Sequence, residues 1–181
     1  MTHEIVKLAD VCDLIAGYAF KSGDFGHYPS KVIKITNIVP PNVDMESLTG
    51  VDLERYDSSQ LTKYIAYSGD FVFAMTGATI GKIGRVSEGE AYINQRVLMF
   101  KNHANIDKDF LYYVLQQYDF YAYIKNHIDS ESAQPNISAN TVGKYEFALP
   151  SIEIQRKIGE LLRKLDAKRE LNEKINDNLA A

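Results

Sequence analysis

The sequence predicts a mixed α/β (α+β) body over residues 1–150 and a long C-terminal coiled-coil-type helix over 151–181. Three observations lead there. Short β-branched and aromatic runs punctuated by glycine fill residues 69–100. One amphipathic stretch follows Asp107, and a heptad-like apolar pattern occupies the chain from Ser151 onward.

A chain of 181 residues, 45% hydrophobic, buries one good core and adds a small appendage. Its single cysteine, Cys12, excludes an internal disulfide framework. With His3, His27, His103 and His127 at no ligand-like spacing, no metal site is expected either. No apolar run approaches the roughly 18 residues of a membrane span, and the start lacks the layout of a signal peptide. A soluble protein in a reducing, cytoplasmic setting, without membrane partners, is therefore expected.

The net charge of −4 argues against a generic nucleic-acid binder, because phosphate contacts call for Lys and Arg. The charge is uneven, however. Residues 1–60 hold five basic and nine acidic residues, whereas 76–104 hold Lys82, Arg85, Arg96 and Lys101 against Glu88 and Glu90. A local basic face on an acidic body fits that distribution.

In chain order, residues 17–30 read as an aromatic loop, since Gly17, Ser22, Gly23, Asp24 and Pro29 break regular structure around Tyr18, Phe20, Phe25 and Tyr28. Two uses fit the rings: contact with bases or sugar-phosphate, and tucking of the loop onto the core. Residues 31–38 alternate as a strand that Pro40 and Pro41 stop. The polar, acidic span 42–60 reads as a long loop with at most a turn of helix.

Strands are then expected over 71–75, 82–86 and 91–100, with a Gly-rich turn at 76–81. That turn fails as a phosphate loop: three residues instead of four separate Gly77 from Gly81, and Ile83 stands where a metal-binding hydroxyl belongs. Asp107 is a good N-cap for a helix running to about residue 126, with Leu111, Val114, Leu115, Tyr118 and Ala122 on one face. Ser138 fits as the cap of a short helix ending near Gly143, and a closing strand spans 145–149.

From Ser151 the pattern becomes a rod. Ile154, Ile158, Leu161, Leu165, Ile175 and Leu179 fall on alternating four- and three-residue steps, with Lys168 and Asn172 in the seam between them. About 28 helical residues at about 1.5 Å each give about 42 Å, more than one small domain covers. Ile158, Leu161, Leu165, Lys168, Asn172, Ile175 and Leu179 are expected to face a second helix.

These features together resemble the specificity subunits of Type I restriction-modification systems, over essentially the whole chain. The resemblance rests on Gly17 to Phe20 with Ser22, Lys34 to Ile38, Asp70 with Thr76 to Lys82, and Asn94-Gln95-Arg96. Gln134 with Asn136-Ile137-Ser138, Leu149-Pro150, Gln155 and the run from Ile158 to Asp166 complete it. It implies a DNA-reading target recognition domain followed by a spacer helix, and no catalytic residues in this chain. S-adenosylmethionine, ATP and magnesium would then sit on separate modification and restriction subunits, the second engaged indirectly.

The usual subunit has two recognition domains and two spacer helices, and this chain has one of each. A homodimer through antiparallel spacer helices, reading a split symmetric site, restores the bipartite layout. For backbone contacts the donors Lys21, Ser22, Lys31, Lys34, Thr79, Lys82 and Arg96 are the candidates. For base edges they are Gln95, Gln134, Asn136 and Asn140, whose amides can pair with adenine. Rival readings are an interaction module that binds the modification subunit without reading DNA, and a small hydrolase using Asp70 or Glu88.

Overall fold

The computed structural model describes residues 4–128 and 135–180, with side-chain surroundings for all of these except 174, 177, 179 and 180. Its centre is a six-stranded sheet in the order β2-β11-β8-β9-β5-β4, formed by β2 (Cys12–Ala16), β11 (Val97–Asn102), β8 (Phe71–Ala74), β9 (Ile83–Arg85), β5 (Asn42–Val43) and β4 (Ile38–Val39). A four-stranded sheet, β6-β3-β10-β7, is built from β6 (Thr49–Val51), β3 (Phe25–Ile33), β10 (Glu90–Ile93) and β7 (Ile65–Tyr67). A third ribbon pairs β1 (Glu4–Lys7) antiparallel with β12 (Glu146–Leu149).

Strand alternation explains how these layers stack, because successive side chains point to opposite faces. In β8, Phe71 and Phe73 enter the core beneath the helices, while Val72 and Ala74 enter the core between the two sheets. In β11 the same split sends Leu98 and Phe100 one way and Val97 and Met99 the other. Both faces are covered, so these strands read as unbroken apolar runs. Across β10, Ala91 and Ile93 face the inter-sheet core, and Tyr92 joins Phe20, Val32, Val51 and Leu61 in a third cluster on the outer face.

The helical layer comprises α1 (Leu8–Val11), α3 (Lys108–Val114), α4 (Tyr118–Asn126) and α5 (Ala139–Gly143), with α2 (Ser58–Leu61) standing apart on the aromatic cluster. The caps fall where the side chains require them. Asp107 accepts the Phe110 N–H at 2.9 Å, and Ser138 accepts that of Thr141 at 3.0 Å.

Four sequence expectations are corrected. The strand expected over 91–100 is two strands, β10 and β11, in different sheets, broken at Asn94 to Arg96. The strand expected over 31–38 is the end of the longer β3 and a 3₁₀ turn, Ile35–Asn37, where the Asn37 side chain turns back to accept the Lys34 N–H at 2.8 Å. The loop 42–60 contains β5, β6 and α2; β5 pairs with the neighbouring β4 and the remote β9, and β6 with β3. The helix expected over 107–126 is α3 and α4, which meet at Gln116-Gln117, so Phe110, Phe120 and Ile124 are buried while Tyr118 is 78% exposed.

Ring packing settles the aromatic loop. Phe20 lies edge-on to Tyr56 and Tyr92, and Tyr18 to Tyr56 and Tyr64, with centroids 5.4–6.0 Å apart. The rings hold the loop onto the four-stranded sheet.

The C-terminal rod is α6, Ile152–Ala180, 29 residues long. It lies along α3 through Gln155, Gly159, Leu162 and Asp166, a row at four- and three-residue steps that turns one face inward. Tyr113 donates its hydroxyl to Asp166 at 2.8 Å, and burial together with that acceptor pushes the phenol well above its usual range. The heptad stripe is on the other side: Ile158, Leu161, Leu165, Lys168, Asn172 and Ile175 are all exposed, Leu161 by 60% and Leu165 by 56%. Leu179 lies outside the described side chains.

Candidate nucleic-acid interface

Four segments far apart in sequence are laced together by main-chain hydrogen bonds at one corner of the body. Met75 N–H donates to the Arg96 carbonyl at 3.0 Å, Ile137 N–H to Met75 at 3.0 Å, and Gly77 N–H to Pro135 at 3.0 Å. Gly17 N–H donates to Val97 and Tyr18 N–H to Ile93, each at 2.9 Å, and Asn94 N–H donates to Ile33 at 2.9 Å. The Gly-rich turn, the Asn94 to Arg96 turn, the Pro135 to Ile137 segment and the exit from β2 thus form one unit on the end of β3.

Glycine is required at three points of this corner. Gly77 and Gly81 hold φ of 73° and 90°, which ordinary residues rarely adopt. A side chain at Gly17 would put its Cβ 2.2 Å from the Asn94 carbonyl oxygen.

Lys82, Gln95 and Arg96 are exposed on these turns, and Thr79 is half-buried, donating its hydroxyl to the Thr76 carbonyl at 3.3 Å. Asn136 pairs with Thr76 in a bridge, and its Oδ1 is buried with no hydrogen-bond donor among the described residues. Lys34, one residue beyond Ile33, is half-buried with its ammonium 3.8 Å from the Phe25 ring centre. Lys21 and Ser22 are exposed where the chain enters the 3₁₀ turn Ser22–Asp24, and Lys31 is exposed on β3 opposite Gly50.

One expected reader is not among the laced residues. Asn140 sits on α5 and lines a cavity of about 500 Å³ with Lys7, Leu14 and Lys144. Gln134 lies outside the described residues. The exposed donors that remain, on Lys82, Arg96 and Gln95, suit an acceptor-rich partner such as a line of phosphates.

Asp70 has a different role. It is 5% exposed, receives the Lys108 ammonium at 2.6 Å and the Tyr67 N–H at 3.0 Å, and is paired with Lys101. Burial pushes its carboxyl up, but these donors outweigh burial and hold it below the usual range. A carboxylate so committed ties β8 to β11 and α3 and is not a free base, which removes the hydrolase reading for Asp70. No local pattern signals this clamp, because its lysines are 31 and 38 residues away. Arg85, also missed, reaches Asp109 at 2.8 Å and lies 4.2 Å from the Tyr112 ring centre.

A double-sheet body that holds a donor-bearing corner on main-chain lacing, and that extends an apolar-striped rod, defines a binding module. The chain belongs to the Type I restriction modification DNA specificity domain family, whose model matches residues 2–181. It is 30% identical to the Type I restriction enzyme MjaVIII specificity subunit of Methanocaldococcus jannaschii, over 97% of this chain and 42% of that protein.

The fold matches solved structures as well. The HsdS subunit from Thermoanaerobacter tengcongensis superposes with a TM-score of 0.63 at 16% identity, over 91% of this chain and 37% of that one. The Type I restriction-modification S subunit from M. genitalium gives a TM-score of 0.62 at 13% identity, over 94% and 43%. A chain from a study of complex assembly and conformational transition in the type I R-M system gives 0.68 at 16% identity, over 91% and 38%. The chain thus spans about two fifths of the length of each of these relatives.

Proposed function

We infer that this chain is a DNA-reading specificity unit of a Type I restriction-modification complex, equivalent to one recognition domain and one spacer helix. Residues 1–150 read duplex DNA, with Lys82 and Arg96 on phosphates and Gln95 toward base edges. Residues 151–181 pair antiparallel with a second copy and dock the modification subunit, so that a two-fold dimer reads a split symmetric site. The chain itself is non-catalytic and works in the cytoplasm. S-adenosylmethionine, ATP and magnesium belong to the modification subunit and to a restriction subunit engaged through it.

The observation that carries this reading is the laced corner: the turns that bear the family resemblance converge through main-chain bonds and leave Lys82, Gln95 and Arg96 exposed. A gel shift on random duplexes across a salt series, with and without the modification subunit, tests it. Binding that weakens steeply with salt is expected. Absence of any duplex binding in both arms overturns the reading.

A further inference from the structure

Beside the laced corner lies a small concavity that the corner residues do not account for. It measures about 210 Å³ and is lined by Tyr18, Ser59, Gln60, Thr62, Lys63 and Tyr64. Tyr18 fixes its place, since this residue is bridged to Asn94 and donates its N–H to Ile93 at 2.9 Å. The concavity therefore adjoins the turn that carries Gln95 and Arg96.

The opposite wall is α2 with the 3₁₀ turn Thr62–Tyr64. Leu61, 1% exposed, anchors this wall in the aromatic cluster, and Ser59, Gln60, Thr62 and Lys63 around it are exposed. A rigid anchor with polar neighbours in solvent is a mount for recognition, because the side chains are displayed from a fixed backbone.

The display is chemically specific. Asp57, the N-cap of α2, accepts the Ser59 hydroxyl at 2.6 Å, the Ser59 N–H at 3.0 Å and the Gln60 Nε2 at 2.9 Å. The Ser59 hydroxyl and amide, with Gln60, hold the Asp57 carboxyl below its usual range, so it is a standing negative charge. The carboxylate takes one hydrogen of the Gln60 NH₂ group, and the Gln60 carbonyl accepts from no donor among the described residues. Lys63 supplies a donor nearby, its ammonium 5.0 Å from the Tyr64 ring centre. A negative charge behind an outward carbonyl disfavours a phosphate at Gln60 and favours a neutral edge that offers hydrogens.

We propose that this concavity is a base-reading element of the recognition unit, in which Gln60 accepts from the exocyclic amino group of a cytosine or adenine in the major groove and Lys63 donates to an adjacent acceptor. The proposal rests on the DNA-reading function above. Gln60 and Lys63 are specificity-determining residues, whereas Lys82 and Arg96 set affinity.

The test selects sites from a random duplex library with the full chain, in the presence of its modification subunit, for the unmodified protein and for Gln60→Ala and Lys63→Ala. Gln60→Ala is expected to relax one position of the selected motif and to lose about tenfold in preference for the original site over random duplex. Lys63→Ala relaxes a neighbouring position. Unchanged thermal unfolding of both variants separates altered reading from a lost helix cap. Variants that select the original motif with the original preference overturn the proposal alone. An unmodified chain that selects no motif overturns the DNA-reading function and the proposal with it.

Discussion

The Gln155 side-chain carbonyl accepts the Asp107 N–H at 2.8 Å, joining residues 48 apart in sequence at the point where α6 meets the cap of α3. The other end of the same amide donates to the Pro150 carbonyl at 2.9 Å and the Asn105 carbonyl at 3.3 Å. Gln155 is 1% exposed, so one side chain satisfies three main-chain groups at the root of the rod. Replacement by Ala removes the partner of all three, two of them on half-buried residues, at a cost of about 2 kcal/mol. Urea unfolding of Gln155→Ala checks this, and an unchanged midpoint contradicts it.

Gly159 sets the closeness of the two helices. A Cβ there would stand 2.7 Å from Asp107 Oδ1 and 2.9 Å from the Phe110 nitrogen. Helix propensity alone favours Gly159→Ala by about 1 kcal/mol. The clash is with backbone and a capping carboxylate, and overpacking of that kind costs about 1–3 kcal/mol. The clash is expected to win, lowering the melting temperature by a few degrees, and calorimetry reads the sign.

Acid should release the Asp70 clamp. Because the native carboxyl lies below its unfolded value of about 3.9, its stabilisation is fully present above that value and is lost as pH falls through the native pKa. Asp70→Asn is expected to cost about 2 kcal/mol at pH 7, a figure reduced for the one-third exposure of Lys101 and Lys108. Denaturant series at pH 7, 5 and 3 should show the gap between wild type and variant constant over the first two and narrowed at the third.

Alanine at Lys82 or at Arg96 should weaken binding to all duplexes alike, each reducing the slope of log affinity against log salt by about 1. Fluorescence anisotropy on two unrelated duplexes measures both quantities. A loss confined to one duplex would assign the residue to base reading instead.

The exposed stripe of α6 predicts an association that charge disrupts. Leu161→Glu with Leu165→Glu places carboxylates at two seam positions that are more than half exposed. Sedimentation at tens of micromolar is expected to give a dimer for the unmodified chain and a monomer for the double variant. A monomer in both cases rules out self-pairing through this stripe.

Local chemistry made part of this molecule legible in advance. The caps at Asp107 and Ser138, the heptad of α6 and the glycine turn at 76–81 each depend on residues within a few positions of one another. What escaped was set by distant pairing. Asn94 to Arg96 follow an apolar run and read as strand interior, and only the passage of the chain from one sheet to the other makes them a corner. β5 and β6 are two and three residues long, too short for periodicity, and depend on pairing, β5 with β4 and β9 and β6 with β3. For the site, the turns were readable, but the place of Asn140 beside Lys7 and Leu14 and the commitment of Asp70 follow from helices and lysines that no spacing rule connects.

The ribbon of β1 and β12 sets Glu4 opposite Leu149, three residues before α6 begins its approach to Gln155. Entry and departure therefore share a doorway, and everything between them is wired as a closed loop. Gln155 and Gly159 press the first turns of the rod onto the cap of α3 beside that doorway, so the body itself sets the direction in which the rod leaves.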